Sequence, residues 1–168
     1  VFTSAGVGQN TFHVILTSWI KFDNLIIDWA IYVDQLTAIM FLLVTAVSAV
    51  VHVYSLGYMS DDKNLPKFLS YLSLFTFFML MLVTSDNFIQ MFFGWEGVGL
   101  ASYLLIGFWY SNVEYGKAAR KAFIMNRIGD LGLLLGLFLI IYQFGSLDYT
   151  VVFDKVNAQQ FKPETLTA

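Results

Sequence analysis

The sequence predicts an all-α integral membrane fold with about four transmembrane helices, part of a larger multi-span bundle. Of the 168 residues, 58% are hydrophobic, 18% aromatic and only 12% charged, whereas a soluble domain averages about 25% charged residues. Several apolar runs approach or exceed the roughly 20 residues that cross a bilayer as a helix. A large soluble core is the alternative, and apolar runs of this length argue against it.

Four runs predict the membrane spans, and they cover residues 35–56, 67–84, 88–110 and 122–144. Asp34 precedes the first span, and Pro66 suits the first turn of the second. The second span has no interior charge, and we predict a packing helix with no site. The chain then divides into an extramembrane or interfacial segment, the four-helix part and a polar tail, over residues 1–34, 35–144 and 145–168.

The segment before the spans has an alternating pattern over residues 12–19 and 22–33, with Asp23 and Asn24 between the two stretches. Period-two alternation around a turn dipeptide predicts a short β-hairpin on the membrane surface. An irregular interfacial loop rich in aromatic residues is the alternative.

Basic residues distinguish the two sides of the bundle. Loops 57–67 and 111–121 contain five basic residues, whereas residues 1–34, 85–87 and 145–168 together contain three. The positive-inside rule then places the two loops in the matrix or cytoplasm. The tail is expected to face the intermembrane space or periplasm.

The third run contains a single charged residue, Glu96, about 12 Å from its start if the run is helical. A carboxylate inside the bilayer costs at least a few kcal/mol, so it must be protonated, paired or hydrated. Gly94, Gly97 and Gly99 would let neighbouring helices approach closely. Ser102 offers a hydroxyl one to two turns further on.

The fourth run contains a second candidate group, because Arg127 and Asp130 lie three residues apart on one helix face. Inside hydrocarbon the two charges cost less as a hydrogen-bonded pair than separately. Arg127, Ser102 or a water could join Asp130 to Glu96 in a proton relay. The alternatives are a structural ion pair and an Arg127 that extends toward the membrane rim.

Three further residues are weaker candidates for a proton pathway. Lys121 and Arg120 lie at the predicted rim of the fourth span, where contact with lipid headgroups is the favoured interpretation. His52 lies near the end of the first span. A histidine satisfied by a backbone carbonyl is favoured there over a relay.

Composition limits the chemistry of this chain. There is no cysteine, so cysteine-ligated iron–sulfur clusters and disulfides are excluded. His13 and His52 do not form a metal site at a familiar spacing, and no dinucleotide fingerprint or phosphate loop occurs. The net charge of −3 does not indicate nucleic-acid binding.

Three blocks carry a resemblance to a known family. Residues 52–59, residues 85–110 with Gly94-Trp95-Glu96-Gly97, and residues 121–130 with Asn126-Arg127-Ile128-Gly129-Asp130 resemble the antiporter-like chain 5 family of proton-pumping NADH:ubiquinone oxidoreductase, respiratory complex I. The resemblance covers about residues 19–150. It implies that Glu96 takes the place of an intramembrane proton-pathway glutamate and that Lys121 matches a basic position.

The resemblance also implies what lies outside this chain. The family has two helices before the matched part and many after it, so we expect a split-gene product, a processed piece or part of a longer chain. FMN, iron–sulfur clusters and ubiquinone are expected elsewhere in the complex, and no cofactor on this chain. Expected partners are lipid and other membrane subunits, including a buried lysine beside Glu96, in the mitochondrial inner membrane or a bacterial plasma membrane.

Two other functions remain open from the sequence. One is a subunit of a multi-chain sodium/proton antiporter, a related family that has a glutamate on the equivalent helix. The other is a scaffold that no longer pumps protons. In the pumping interpretation, a cation that approaches Glu96 favours its charged form, and withdrawal of that cation favours proton uptake.

Overall fold

The computed structural model describes residues 11–22 and 25–158, apart from the side chains of residues 22, 25 and 26. A two-stranded sheet precedes five helices. The elements are β1 (Phe12–Phe22), β2 (Leu25–Val33), α1 (Gln35–Tyr58), α2 (Leu65–Val83), α3 (Phe88–Ile106), α4 (Val113–Phe144) and α5 (Tyr149–Asn157). Helices α1 to α4 are long and apolar enough to cross a membrane, which confirms the predicted class.

The first two spans begin where local capping predicts. Asp34 accepts a hydrogen bond from the amide of Thr37 at 2.7 Å, so it caps α1 by satisfying one of the free N–H groups of the first turn. Pro66 lies in the first turn of α2, where a missing N–H costs nothing. Both features agree with the sequence analysis.

Helix α4 is longer than the predicted fourth span, because it begins at Val113 rather than at residue 122. The prediction of a loop over residues 111–121 is therefore wrong for most of its length. Asn112 caps the helix through the amide of Glu114, and the Lys, Ala and Arg residues that follow are strong helix formers. Its 32 residues span about 48 Å, more than a bilayer core of about 30 Å.

The predicted hairpin is confirmed. β1 and β2 pair antiparallel from Phe12 opposite Val33 to Phe22 opposite Leu25, with two irregularities in register. The turn residues Asp23 and Asn24 lie outside the described residues.

The hairpin is fastened to the start of α3 by buried amide side chains. Gln90, only 2% exposed, accepts from the amide of Ala30 at 3.2 Å and donates to its carbonyl at 2.7 Å. Asn87 donates to the carbonyl of Asp28 at 2.9 Å and caps α3 through the amide of Gln90. The side chains of Gln90 and Asn87 thus bond backbone groups on the edge of β2 that faces away from β1. Such groups have no partner at an open sheet edge.

Replacing Gln90 by leucine is expected to loosen the hairpin. The amide and carbonyl of Ala30 then lose their partners, and each buried unsatisfied group costs about 1–3 kcal/mol. We expect faster tryptic cleavage after Lys21 in membranes that contain the variant. Met91→Leu, a volume-conserving change at the next position, serves as the control. Equal cleavage rates in both variants would contradict this account of the hairpin.

The predicted polar tail contains a short helix, α5, which packs beside the α2–α3 turn. The Tyr149 hydroxyl lies 3.0 Å from the hydroxyl of Ser85, and the Tyr149 ring packs edge-on against Phe88. Burial is the main cause of the raised pKa values of both Asp148 and Tyr149. The predicted tail beyond residue 158 lies outside the described residues.

Segments that the sequence predicts to lie on the same side of the membrane contact each other at the same end of the four-helix bundle. At one end, the Trp109 indole donates to Asp62 at 2.9 Å, joining loops 59–64 and 107–112. We call this the basic end, because the basic residues of the two predicted loops lie toward it. At the other end, the hairpin end, His13 lies 3.1 Å from Asp86 of the α2–α3 turn.

Glycines set the distance between α2 and α3. A Cβ atom on Gly94 would lie 2.8 Å from three atoms of Leu82, two of them backbone atoms, and one on Gly97 would overlap the ring of Phe78. The predicted close approach of helices at these two glycines is confirmed. Gly99 is less tight, with the Asn126 side chain 3.7 Å away.

Candidate functional site

The predicted charged residues meet at the contact between α3 and α4. Arg127 of α4 donates from Nη1 to Oε2 of Glu96 on α3. The Glu96 side chain is 20% exposed and that of Arg127 is 45% exposed. The carboxylate is therefore paired, which is one of the ways that make such a group tolerable within a membrane helix.

Asp130 is the most buried member of the group. It is 6% exposed and accepts a hydrogen bond from the indole Nε1 of Trp95 at 2.8 Å. Its other oxygen lies 3.8 Å from Nη1 of Arg127. Arg127 thus lies between Glu96 and Asp130, and it joins the two carboxyl groups as the sequence analysis allowed.

Ser102 does not make this connection. Its hydroxyl donates to the carbonyl of Val98 within α3 at 2.8 Å, as membrane serines commonly do. Of the two candidate side chains for joining the carboxyl groups, the geometry selects Arg127.

Aromatic rings hold the guanidinium in place. The Arg127 guanidinium lies over the ring of Phe123, 4.7 Å from its centroid, and that ring packs against Tyr103 at 5.3 Å. A cation over an aromatic face is favourable, more so away from water. The side chain is therefore directed toward Glu96 on the facing helix.

The site lies near the middle of both helices. Glu96 is about 12 Å from the start of α3 at Phe88, and Asp130 is about 25 Å from the start of α4 and about 21 Å from its end, at 1.5 Å per residue. With all three groups ionised, two carboxylates share one guanidinium. The site then carries an excess of negative charge, which would attract a further cation.

One side of the site adjoins an exposed face of α4. Large apolar side chains of the same helix are exposed, namely Ile124, Met125, Ile128, Leu131, Leu135, Phe138 and Leu139. Because the Arg127 side chain is 45% exposed, a further cationic group would have room to approach the Glu96–Arg127 pair.

The weaker candidates lie elsewhere. Lys121 and Arg120 line an open surface groove on α4 with Lys117, toward the basic end. His52 lies between α1 and α2, where its Nδ1 is 2.8 Å from the carbonyl of Ser48. That contact is the carbonyl partner that the sequence analysis favoured.

Two residues of the site, Trp95 and Phe123, were not predicted from the sequence. Trp95 precedes Glu96 directly, and an indole N–H in a membrane span needs an acceptor. Phe123 lies four residues before Arg127, so the two share a helix face. The sequence thus contained a signal for each residue, but neither signal identifies the partner on the facing helix.

Comparisons with known proteins cover most of the chain. Residues 19–69 match the family model of the N-terminus of NADH-ubiquinone oxidoreductase (complex I) chain 5. Residues 85–167 match the transmembrane model of NADH:quinone oxidoreductase and Mrp antiporter proteins. The second match contains the site residues on α3 and α4.

Individual relatives agree with these models. The chain is 59% identical over 157 residues to NADH-quinone oxidoreductase subunit L of Rickettsia felis, covering 94% of the chain and 24% of the relative. It is 52% identical over 155 residues to NADH-ubiquinone oxidoreductase chain 5 of Chondrus crispus, covering 92% and 23%. The chain spans about a quarter of the length of the curated relatives it matches.

Proposed function

Because the chain belongs to the family of membrane subunits that comprises chain 5 and subunit L of NADH:quinone oxidoreductase, we propose that it forms part of a proton-translocating subunit of that enzyme. The observation that carries this proposal is the position of Arg127 between Glu96 and Asp130 in the middle of two membrane helices. A packing helix has no need of three ionisable groups there, since each must be compensated.

The site would work by changing which carboxylate, Glu96 or Asp130, the Arg127 guanidinium neutralises. While Arg127 pairs with Glu96, the glutamate is stabilised in its charged form and releases a proton. A shift of the guanidinium toward Asp130, already 3.8 Å away, would leave Glu96 free to take up a proton. Trp95 would hold Asp130 in place through both states.

A second cation would complete the cycle. No lysine lies within the described part of α3, and the lysines of α4 lie near its start. We propose that a buried lysine outside the described residues approaches through the exposed face of α4. The flavin, iron–sulfur and ubiquinone chemistry belongs to other parts of the complex, and the chain itself is a multi-pass protein of the inner membrane.

A sodium/proton antiporter subunit is the second candidate, since the matching transmembrane model also includes Mrp antiporters. The two functions differ in their source of energy. Inhibitors of quinone reduction should stop proton movement in the first case and leave it unchanged in the second.

Arg127→Gln tests the proposed function. Without the guanidinium, Glu96 and Asp130 repel each other and retain at least one proton between them, so we expect NADH-driven proton movement to fall strongly. The measurement is proton uptake into vesicles that contain the intact complex, with an artificial electron acceptor used to check NADH oxidation. Lys117→Gln removes a basic group from an exposed pair with Glu114 and should retain wild-type values. Equal proton movement in both variants would favour a scaffold.

A further inference from the structure

A second polar cluster lies between α1 and α2, away from the Glu96 site. His52 and Ser48 of α1 face Ser73 and Thr76 of α2. The Ser48 and Thr76 hydroxyls are 2.7 Å apart, and the His52 Nε2 atom is 3.2 Å from the hydroxyl of Ser73. The prediction of a packing helix with no site did not include these polar contacts between α1 and α2.

The hydrogen bonds determine which ring nitrogen holds the hydrogen. A carbonyl oxygen only accepts, so the contact of Nδ1 with the Ser48 carbonyl at 2.8 Å requires a hydrogen on Nδ1. In the neutral ring, Nε2 is then the acceptor and the Ser73 hydroxyl is its donor. The basic nitrogen of His52 therefore points at α2.

The other hydroxyls are already engaged. Thr76 donates to the carbonyl of Leu72 at 2.9 Å, so Ser48 must be the donor to Thr76. The bond between Ser48 and Thr76 links the two helices without the imidazole, beside the contact of His52 with Ser73. Ser73 has no second hydrogen bond among the described residues and is exposed, so its hydroxyl is free to rotate if Nε2 gains a proton.

His52 is the titratable side chain of this polar cluster, and the nearby tyrosine and lysine side chains make their contacts elsewhere. A cavity of about 250 Å³ beside it is lined by apolar side chains except at Ser48, Thr76 and His52. Along α2, Tyr71 turns instead to Phe108 and Lys67. Along α1, Tyr54 stacks on Tyr58.

The depth of His52 differs from that of Glu96. His52 is about 9 Å from the end of α1 at Tyr58, whereas Glu96 is about 15 Å from the end of α3 at Ile106, at 1.5 Å per residue. Both of these ends lie at the basic end of the bundle. His52 is thus closer than Glu96 to the side that positive charge marks as matrix or cytoplasm.

We infer that His52 is a separate proton-binding site, which takes up a proton at Nε2 through the Ser73 hydroxyl from the basic end of the bundle. Imidazole is the side chain whose charge changes most readily near neutral pH. The bound proton would be shared with Ser73, whose oxygen then accepts from Nε2. This inference rests on the proposed function, because it adds a proton-collecting group to the same translocating subunit.

The test compares the pH dependence of NADH-driven proton movement in the intact complex for wild type, His52→Gln and Ser73→Ala. Glutamine retains hydrogen bonding but cannot take a proton, so we expect one ionisation near neutral pH to disappear from the profile. Ser73→Ala should keep that ionisation and slow proton movement. The amount of assembled complex is measured from NADH oxidation by an artificial acceptor.

A His52→Gln profile that matches wild type would overturn the inference. If that variant does not assemble, wild-type rate and pH profile in Ser73→Ala would overturn it equally. Glu96→Gln, measured in parallel, separates the two proposals. Loss of proton movement in Glu96→Gln alone would leave the proposed function standing without the His52 site, whereas full proton movement in Glu96→Gln would contradict the proposed function itself.

Discussion

Replacing Glu96 by glutamine is expected to slow NADH-driven proton movement by about a hundredfold. Glutamine cannot hold and release a proton, so a proton that crosses at this depth would do so without the carboxylate. A charge at the centre of a bilayer costs about 3 kcal/mol on insertion scales, and a barrier increase of that size corresponds to about a hundredfold in rate.

The variant leaves the packing of α3 largely intact, because glutamine is nearly the same size as glutamate. Reduction of artificial electron acceptors by NADH should therefore be unchanged. Glu114→Gln makes the same chemical change in an exposed pair at the start of α4 and should pump normally. Equal proton yield per NADH in the two variants would remove Glu96 from the pathway.

Replacing Gly94 by alanine is expected to reduce the amount of assembled complex. The added Cβ would lie 2.8 Å from Leu82 Cα, Cβ and N, and backbone atoms cannot turn aside as the end of a side chain can. Separating α2 from α3 costs about 1–3 kcal/mol if it resembles other overpacked interiors. The shift would also displace Glu96, two residues further along α3.

The control for this variant is Gly116→Ala in the first turns of α4, where nothing lies within 4 Å of the added Cβ. Alanine favours a helix over glycine by about 1 kcal/mol, so this complex should assemble at least as well as wild type. Heat inactivation of NADH-driven quinone reduction measures both variants. Unchanged stability in Gly94→Ala would show that the α2–α3 contact tolerates a wider spacing.

The sequence predicted features that depend on one element at a time. Apolar run length located four spans, alternation located the hairpin, and the spacing of Arg127 and Asp130 placed them on one face. The start of α4 was missed because hydropathy marks where the lipid ends, whereas helix propensity and the Asn112 cap continue beyond it.

Of the contacts that join two elements, the sequence indicated the one between Arg127 and Glu96 but not those that Gln90 and His52 make. In the sequence, Gln90 and His52 are each a polar residue within an apolar run. Their partners, Ala30 and Ser73, are set by how deeply the helices and hairpin pack together. Spacing indicates which residues share a face, but the facing residue depends on the register between elements, which contacts such as Gly94 with Leu82 determine.

The central claim is that Glu96 changes its protonation state while the enzyme works. Infrared difference spectroscopy of membranes containing the complex, recorded before and after NADH addition, measures this directly. We expect a band of a protonated carboxylic acid that is present in wild type and Glu114→Gln and absent in Glu96→Gln. The same band at full strength in Glu96→Gln would contradict the account.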